Sequence, residues 1–73
     1  MKRRAYIAQY DADGNETILM RAPYWNADIS AEFDRLAASA RLGTPVIEGW
    51  YSDDYQVECM GRIDCRPRLP RHA

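Results

Sequence analysis

The sequence predicts a two-layer α+β domain, ordered ββαββ, with an antiparallel sheet of four strands under one helix. Three observations lead there. Two stretches near the start alternate with period two around a turn-forming loop. A central stretch repeats its apolar residues at spacings of three and four. A second alternating pair follows, and the single amphipathic segment is the only cover a one-sided sheet has. With 73 residues there is room for one core, and a chain this short buries only about 60% of its unfolded surface. A dimer partner, a metal or a disulfide would therefore help it.

Residues 4–10 form the first strand, with Tyr6, Ala8 and Tyr10 on one face and Ala5, Ile7 and Gln9 on the other. Residues 17–21 repeat the alternation, with Ile18 and Met20 on one side. Between them, Asp11-Ala12-Asp13-Gly14-Asn15-Glu16 holds residue types that tolerate positive φ. A calcium loop of the helix–loop–helix kind needs glycine at its sixth position and glutamate at its twelfth. Here Gly14 is fourth from Asp11 and the twelfth residue is Ala22, so the stretch reads as a hairpin turn.

Pro23 cannot donate to a ladder and takes the chain out of the sheet. Asn26 or Asp28 can cap a helix over about residues 28–42. Ile29, Phe33, Leu36, Ala37 and Ala40 make its apolar stripe, with Glu32, Asp34, Arg35 and Arg41 around it. Gly43 suits a left-handed cap, and Pro45 stops continuation. Residues 46–51 and 55–60 read as a second hairpin with Ser52-Asp53-Asp54 at its tip, and residues 63–65 are a candidate fifth strand. Ile47 and Tyr51 share one face; Glu48 and Trp50 share the other, with Gln56, Glu58 and Met60. Residues 1–65 make the single domain. Residues 66–73, with two prolines and no periodicity, make a basic C-terminal tail. The expected core is Tyr6, Ala8, Ile18, Met20, Ile29, Phe33, Leu36, Ala40, Ile47, Val57 and Cys59. A slip of one residue would exchange the two faces of any strand.

An apolar fraction of 47% with 29% charged residues marks a folded rather than a disordered chain. No apolar run approaches the length of a membrane span. The basic start is followed by too short and too polar a stretch for a signal peptide, so a cytoplasmic location is expected. Charge is divided unevenly. Lys2, Arg3, Arg4, Arg66, Arg68 and Arg71 lie at the two ends, whereas residues 5–65 hold eleven carboxylates against four arginines, a net −7.

No catalytic constellation emerges. The one imidazole, His72, is in the tail, and the four glycines stand apart. Cys59 and Cys65 are spaced unlike zinc ligands and read as reduced thiols. No enzyme, metal or cofactor is expected. Two binding classes remain. A protein-binding face would use Trp50 with Glu48 and Glu58, the acidic tip Asp53 and Asp54, and the aromatic bend Tyr24-Trp25. Both tryptophans can equally serve as extensions of a thin core. The half-bare sheet also suits a homodimer. The alternative is a small nucleic-acid-binding module. It would place Arg3, Arg4, Arg66, Arg68 and Arg71 on phosphates and offer Tyr6, Tyr10, Trp50 or Tyr51 for base stacking.

In size and style such a chain resembles phage and mobile-element accessory proteins, among them inhibitors of host defence of the anti-CRISPR or anti-restriction type. That resemblance implies a non-enzymatic protein in the host cytoplasm that masks a surface on a larger protein or nucleoprotein complex.

Overall fold

The computed structural model describes residues 4–66. The expected ββαββ order is present: strands β1 (Arg4–Tyr10) and β2 (Glu16–Ala22), helix α1 (Ala27–Ser39), and strands β3 (Val46–Ser52) and β4 (Val57–Ile63). All pairings are antiparallel, in the order β2-β1-β3-β4, so β1 and β3 are central. The helix carries the chain from the edge strand β2 across β1 to β3. Residues 63–65 do not form a separate strand, because β4 itself runs on to Ile63.

The first loop is a turn held by one side chain. The Asp11 carboxylate accepts from the backbone amides of Asp13 and Asn15, both at 2.9 Å, and from Asn15 Nδ2 at 3.1 Å. Gly14 takes a φ of +86°, which L side chains rarely adopt. Those bonds, led by the Asn15 amide, hold the Asp11 carboxyl below its ordinary range. Asn26 caps α1 by accepting from the Ile29 amide at 3.0 Å. The helix ends at Ser39, three residues earlier than the sequence suggests. Ala40 leaves in an extended conformation, and the left-handed Gly43 instead closes the following turn, where Thr44 donates to the Arg41 carbonyl.

The core lies between α1 and one face of the sheet. Ala5, Ile7, Ile29, Ile47 and Ile63 are buried there. Met20, Ala22, Trp25, Phe33, Leu36, Ala40, Tyr51 and Cys65 pack around them. Three of the expected strand faces are corrected. In β1 the residues under the helix are Ala5 and Ile7, and Tyr6 and Ala8 point the other way; Ala8 is nonetheless completely buried, as expected of a core residue, while Tyr6 is half-buried. In β2 Met20 pairs with Ile7 but Ile18 pairs with Ala8, so Leu19 is an extra residue that turns Ile18 to the far side. In β4 a second irregularity, opposite Gly49 and Trp50, pairs Cys59 with Trp50 and Glu58 with Tyr51. Cys59 therefore leaves the core, as does Val57, which is 70% exposed. Glu58 takes the Tyr51 side.

Gly49 and Gly61 face each other across β3 and β4 and form a bare floor under two rings. Trp25 and Phe33 sit there edge to face, their centroids 5.9 Å apart. A Cβ on Gly49 would fall 2.5 Å from Trp25 Cη2, and one on Gly61 would fall 2.8 Å from Phe33 Cε2. Glycine in a strand interior normally weakens it; here it lets a helix carrying large rings approach the backbone.

Candidate functional site

Among the described residues no element covers the sheet face opposite α1. Its residues follow from the strand register. One row across the sheet carries Arg21, Tyr6, Trp50 and Cys59. The next carries Ile18, Ala8, Glu48 and Arg62, and a third carries Glu16, Tyr10 and Val46. Arg4 and Ser52 pair at the start of β1. Two shallow hollows flank the Arg4–Tyr6 segment. One, of about 480 Å³, is lined by Arg4, Tyr6, Glu16, Ile18 and Arg21. The other, of about 370 Å³, is lined by Arg4, Tyr6, Trp50, Asp53, Asp54 and Val57.

Polar groups on this face are arranged by local bonds. Trp50 Nε1 donates to Glu48 at 3.0 Å, and Arg62 Nε lies 3.2 Å from the second Glu48 oxygen. Arg62 also reaches Asp64 at 3.5 Å, and Arg66 donates to both Asp64 oxygens. These contacts, the Arg66 bonds above all, hold the Asp64 carboxyl far below its usual range. The Tyr10 hydroxyl donates to Glu16 at 2.8 Å. Burial, that bond and the nearby Glu16 and Glu48 charges push the Tyr10 phenol up to about 12. The unfolded phenol ionises near 10, so folding holds its proton more tightly. The resulting stabilisation is complete below pH about 10 and is lost as the pH rises toward about 12. In alkaline titration, near-ultraviolet absorbance should show a late tyrosinate step that Tyr10→Phe removes; an unchanged profile would exclude this environment.

The expected binding residues do not form one group. Trp50 and Glu48 are on the open face as expected. Asp53 and Asp54 border it at the β3–β4 tip. Asp53 accepts from the Tyr51 hydroxyl and from the Tyr55 and Gln56 amides, so it shapes that tip. Glu58 shares Tyr51's side of the sheet. Tyr24 is 52% exposed at the bend into α1, while Trp25 packs into the core against Phe33. The row of acids is thus largely engaged by Arg62, Arg66 and the turn. Of the alternative phosphate-binding set, Arg3, Arg68 and Arg71 lie outside the described residues. Arg4 and Arg66 lie toward opposite ends of the sheet, because β4 runs parallel to β1. At about 3.3 Å per residue the length of a strand separates them by about 20 Å.

The sequence reading did not place Ile18, Arg21 and Arg62 on this face. Strand irregularities hide Ile18, and Arg62 gains its place only through pairing with Glu48. Tyr6 carried a usable signal: a hydroxyl-bearing ring alternating with Arg4 suits a wet face better than a core. Cys59, on the open face, and Cys65, against the core, are both free thiols. Among the described residues no group of three or more His, Cys, Asp or Glu is placed to hold a metal ion, and no helix is long and apolar enough to cross a membrane. No protein-family model matches the chain, and comparison with curated proteins and with solved structures finds no match.

Proposed function

We propose that the protein is a non-enzymatic binding module that masks a surface of a larger protein or nucleoprotein complex with its open sheet face. The observation that carries this reading is the central Tyr6–Trp50 pair, side by side on β1 and β3 away from the helix. Aromatic residues ringed by polar groups are the usual anchors of protein interfaces. Arg4, Arg21, Ser52 and the Glu48–Arg62 pair form such a ring here. The small size and single working face fit an inhibitor of the kind phage and mobile elements direct at host defence, acting in the host cytoplasm.

Trp50→Ala is expected to weaken partner binding by about 2 kcal/mol or more, near 30-fold. The experiment is affinity capture from host extract, followed by titration of the purified partner. Leu42→Ala, at an exposed residue in the connection between α1 and β3, should bind like the unmodified chain. Equal binding by all three chains would defeat the proposal.

One observation favours a second reading. Tyr6 and Trp50 sit beside Arg4 and Arg21, an arrangement that can stack bases and contact phosphates. Binding of single-stranded nucleic acid with a steep salt dependence, reduced by both Tyr6→Ala and Arg21→Ala, would establish it.

A further inference from the structure

We infer that a second copy of this chain docks on the open sheet face, with its strands antiparallel to those of the first. This rests on reading that face as a protein interface, and it names one occupant and its register. The basis is the order of charge along the face. On the β1–β2 half of the face Arg4 and Arg21 lie at one end and make no ion pair among the described residues, with Asp53 and Asp54 bordering the same end on the β3 side of Arg4. Glu16 lies at the other end, where its bond is to the Tyr10 hydroxyl. The middle row carries Ile18 and Ala8, with Glu48 and Arg62 already compensating each other at 3.2 Å.

A two-fold axis running across the strands above Ala8 exchanges the outer rows. It lays Arg21 of each copy over Glu16 of the other, Tyr6 over Tyr10, and Trp50 over Val46. Ile18 meets Ile18. The same axis sets Glu48 over Glu48 and Arg62 over Arg62, so each of these like pairs is compensated only by its own neighbour at 3.2 Å, and the favourable charge contacts of the dimer are the two Arg21–Glu16 pairs. With the axis along the strands, Arg21 would instead lie over Cys59, and the complementarity is lost. Aligned packing of two sheets is a standard arrangement, and a two-fold pair is the commonest way a chain self-associates.

Four strands of seven residues offer a face of about 19 Å by 23 Å. Two such faces bury about 900 Å², less than a stable interface and in the range of weak, transient ones. The expected product is therefore a reversible dimer with a dissociation constant in the micromolar range.

The test is sedimentation velocity on the full chain over a range of concentrations, with charge reversals. Arg21→Glu and Glu16→Arg should each weaken the dimer about tenfold or more. The doubly reversed chain should recover most of that loss. Arg21 and Glu16 stand opposite Tyr6 and Tyr10 on one strand, about 13 Å apart, and recovery is read from the dimer dissociation constant rather than from stability, so that a pair formed within one chain does not count. Circular dichroism shows whether each variant is folded. A chain that stays monomeric at high concentration overturns the inference, as does a dimer indifferent to both reversals or a double variant without recovery. The broader reading fails separately. If Trp50→Ala leaves capture of another protein unchanged while the dimer behaves as described, the masking function fails and the dimer stands. A monomer that loses its partner with Trp50→Ala gives the reverse.

Discussion

Ile29→Ala is expected to lower the unfolding free energy by about 3 kcal/mol. Ile29 is fully exposure-free at the start of α1 and sits among Ala5, Ile7, Ile47 and Ile63. It is one of only two large side chains completely enclosed among the described residues, the other being Ile7. Its amide is also the one that Asn26 caps, so the loss falls where the helix is both started and docked. A domain of this size has about 4–11 kcal/mol of stability in total, so one substitution removes a large fraction of it. Urea denaturation measures the effect. Asp34→Ala, on the exposed side of the helix, should change stability by no more than about 0.5 kcal/mol. A loss below about 1 kcal/mol for Ile29→Ala would mean that the helix is not docked through this residue.

Gly49→Val is the second large effect, expected at about 3 kcal/mol or more. The first added carbon alone would lie 2.5 Å from Trp25 Cη2 and 3.3 Å from Phe33 Cδ1. Neither ring has an easy exit, since each packs on the other and on the core. Valine's two further methyl groups would force the helix off the sheet. The cause is separable from strand propensity, because valine is a better strand former than glycine. Gly49→Ala combined with Trp25→Leu should therefore lose less than the two single changes together, with a coupling of about 1 kcal/mol or more. Additive losses would show that Trp25 does not occupy this position.

The sequence made the helix and the outward side of β3 legible, and for the same reason. Ile29, Phe33 and Leu36 recur only at helical spacing, and Ile47 and Trp50 fall on opposite sides of an uninterrupted strand. The side of β1 was not legible because both of its faces are apolar: Tyr6-Ala8-Tyr10 is bulkier than Ala5-Ile7, yet the smaller set is inside. The rings of Trp25 and Phe33 arrive from the helix side over Gly49 and Gly61, beside the Ala5–Ile7 side of β1, whereas on the other face the Tyr10 hydroxyl reaches Glu16. In β2 and β4 an alternating pattern fails by construction, since Leu19 and the irregularity beside Trp50 each reverse the phase part-way along. The same two irregularities lie on the edge strands, where they discourage open-ended strand addition. Glycines 49 and 61 inside strands were a sign of close approach, although nothing local says which ring approaches.

The two indoles lie on opposite sides of one pleated layer, Trp25 under the helix and Trp50 on the bare side. Intrinsic fluorescence from this chain is therefore two signals that can be split by conservative replacement. A Trp50→Phe chain retains an emitter that reports loss of the tertiary fold. A Trp25→Phe chain retains one whose quenching or blue shift reports occupation of the exposed sheet, so folding and complex formation can be followed independently without an added dye.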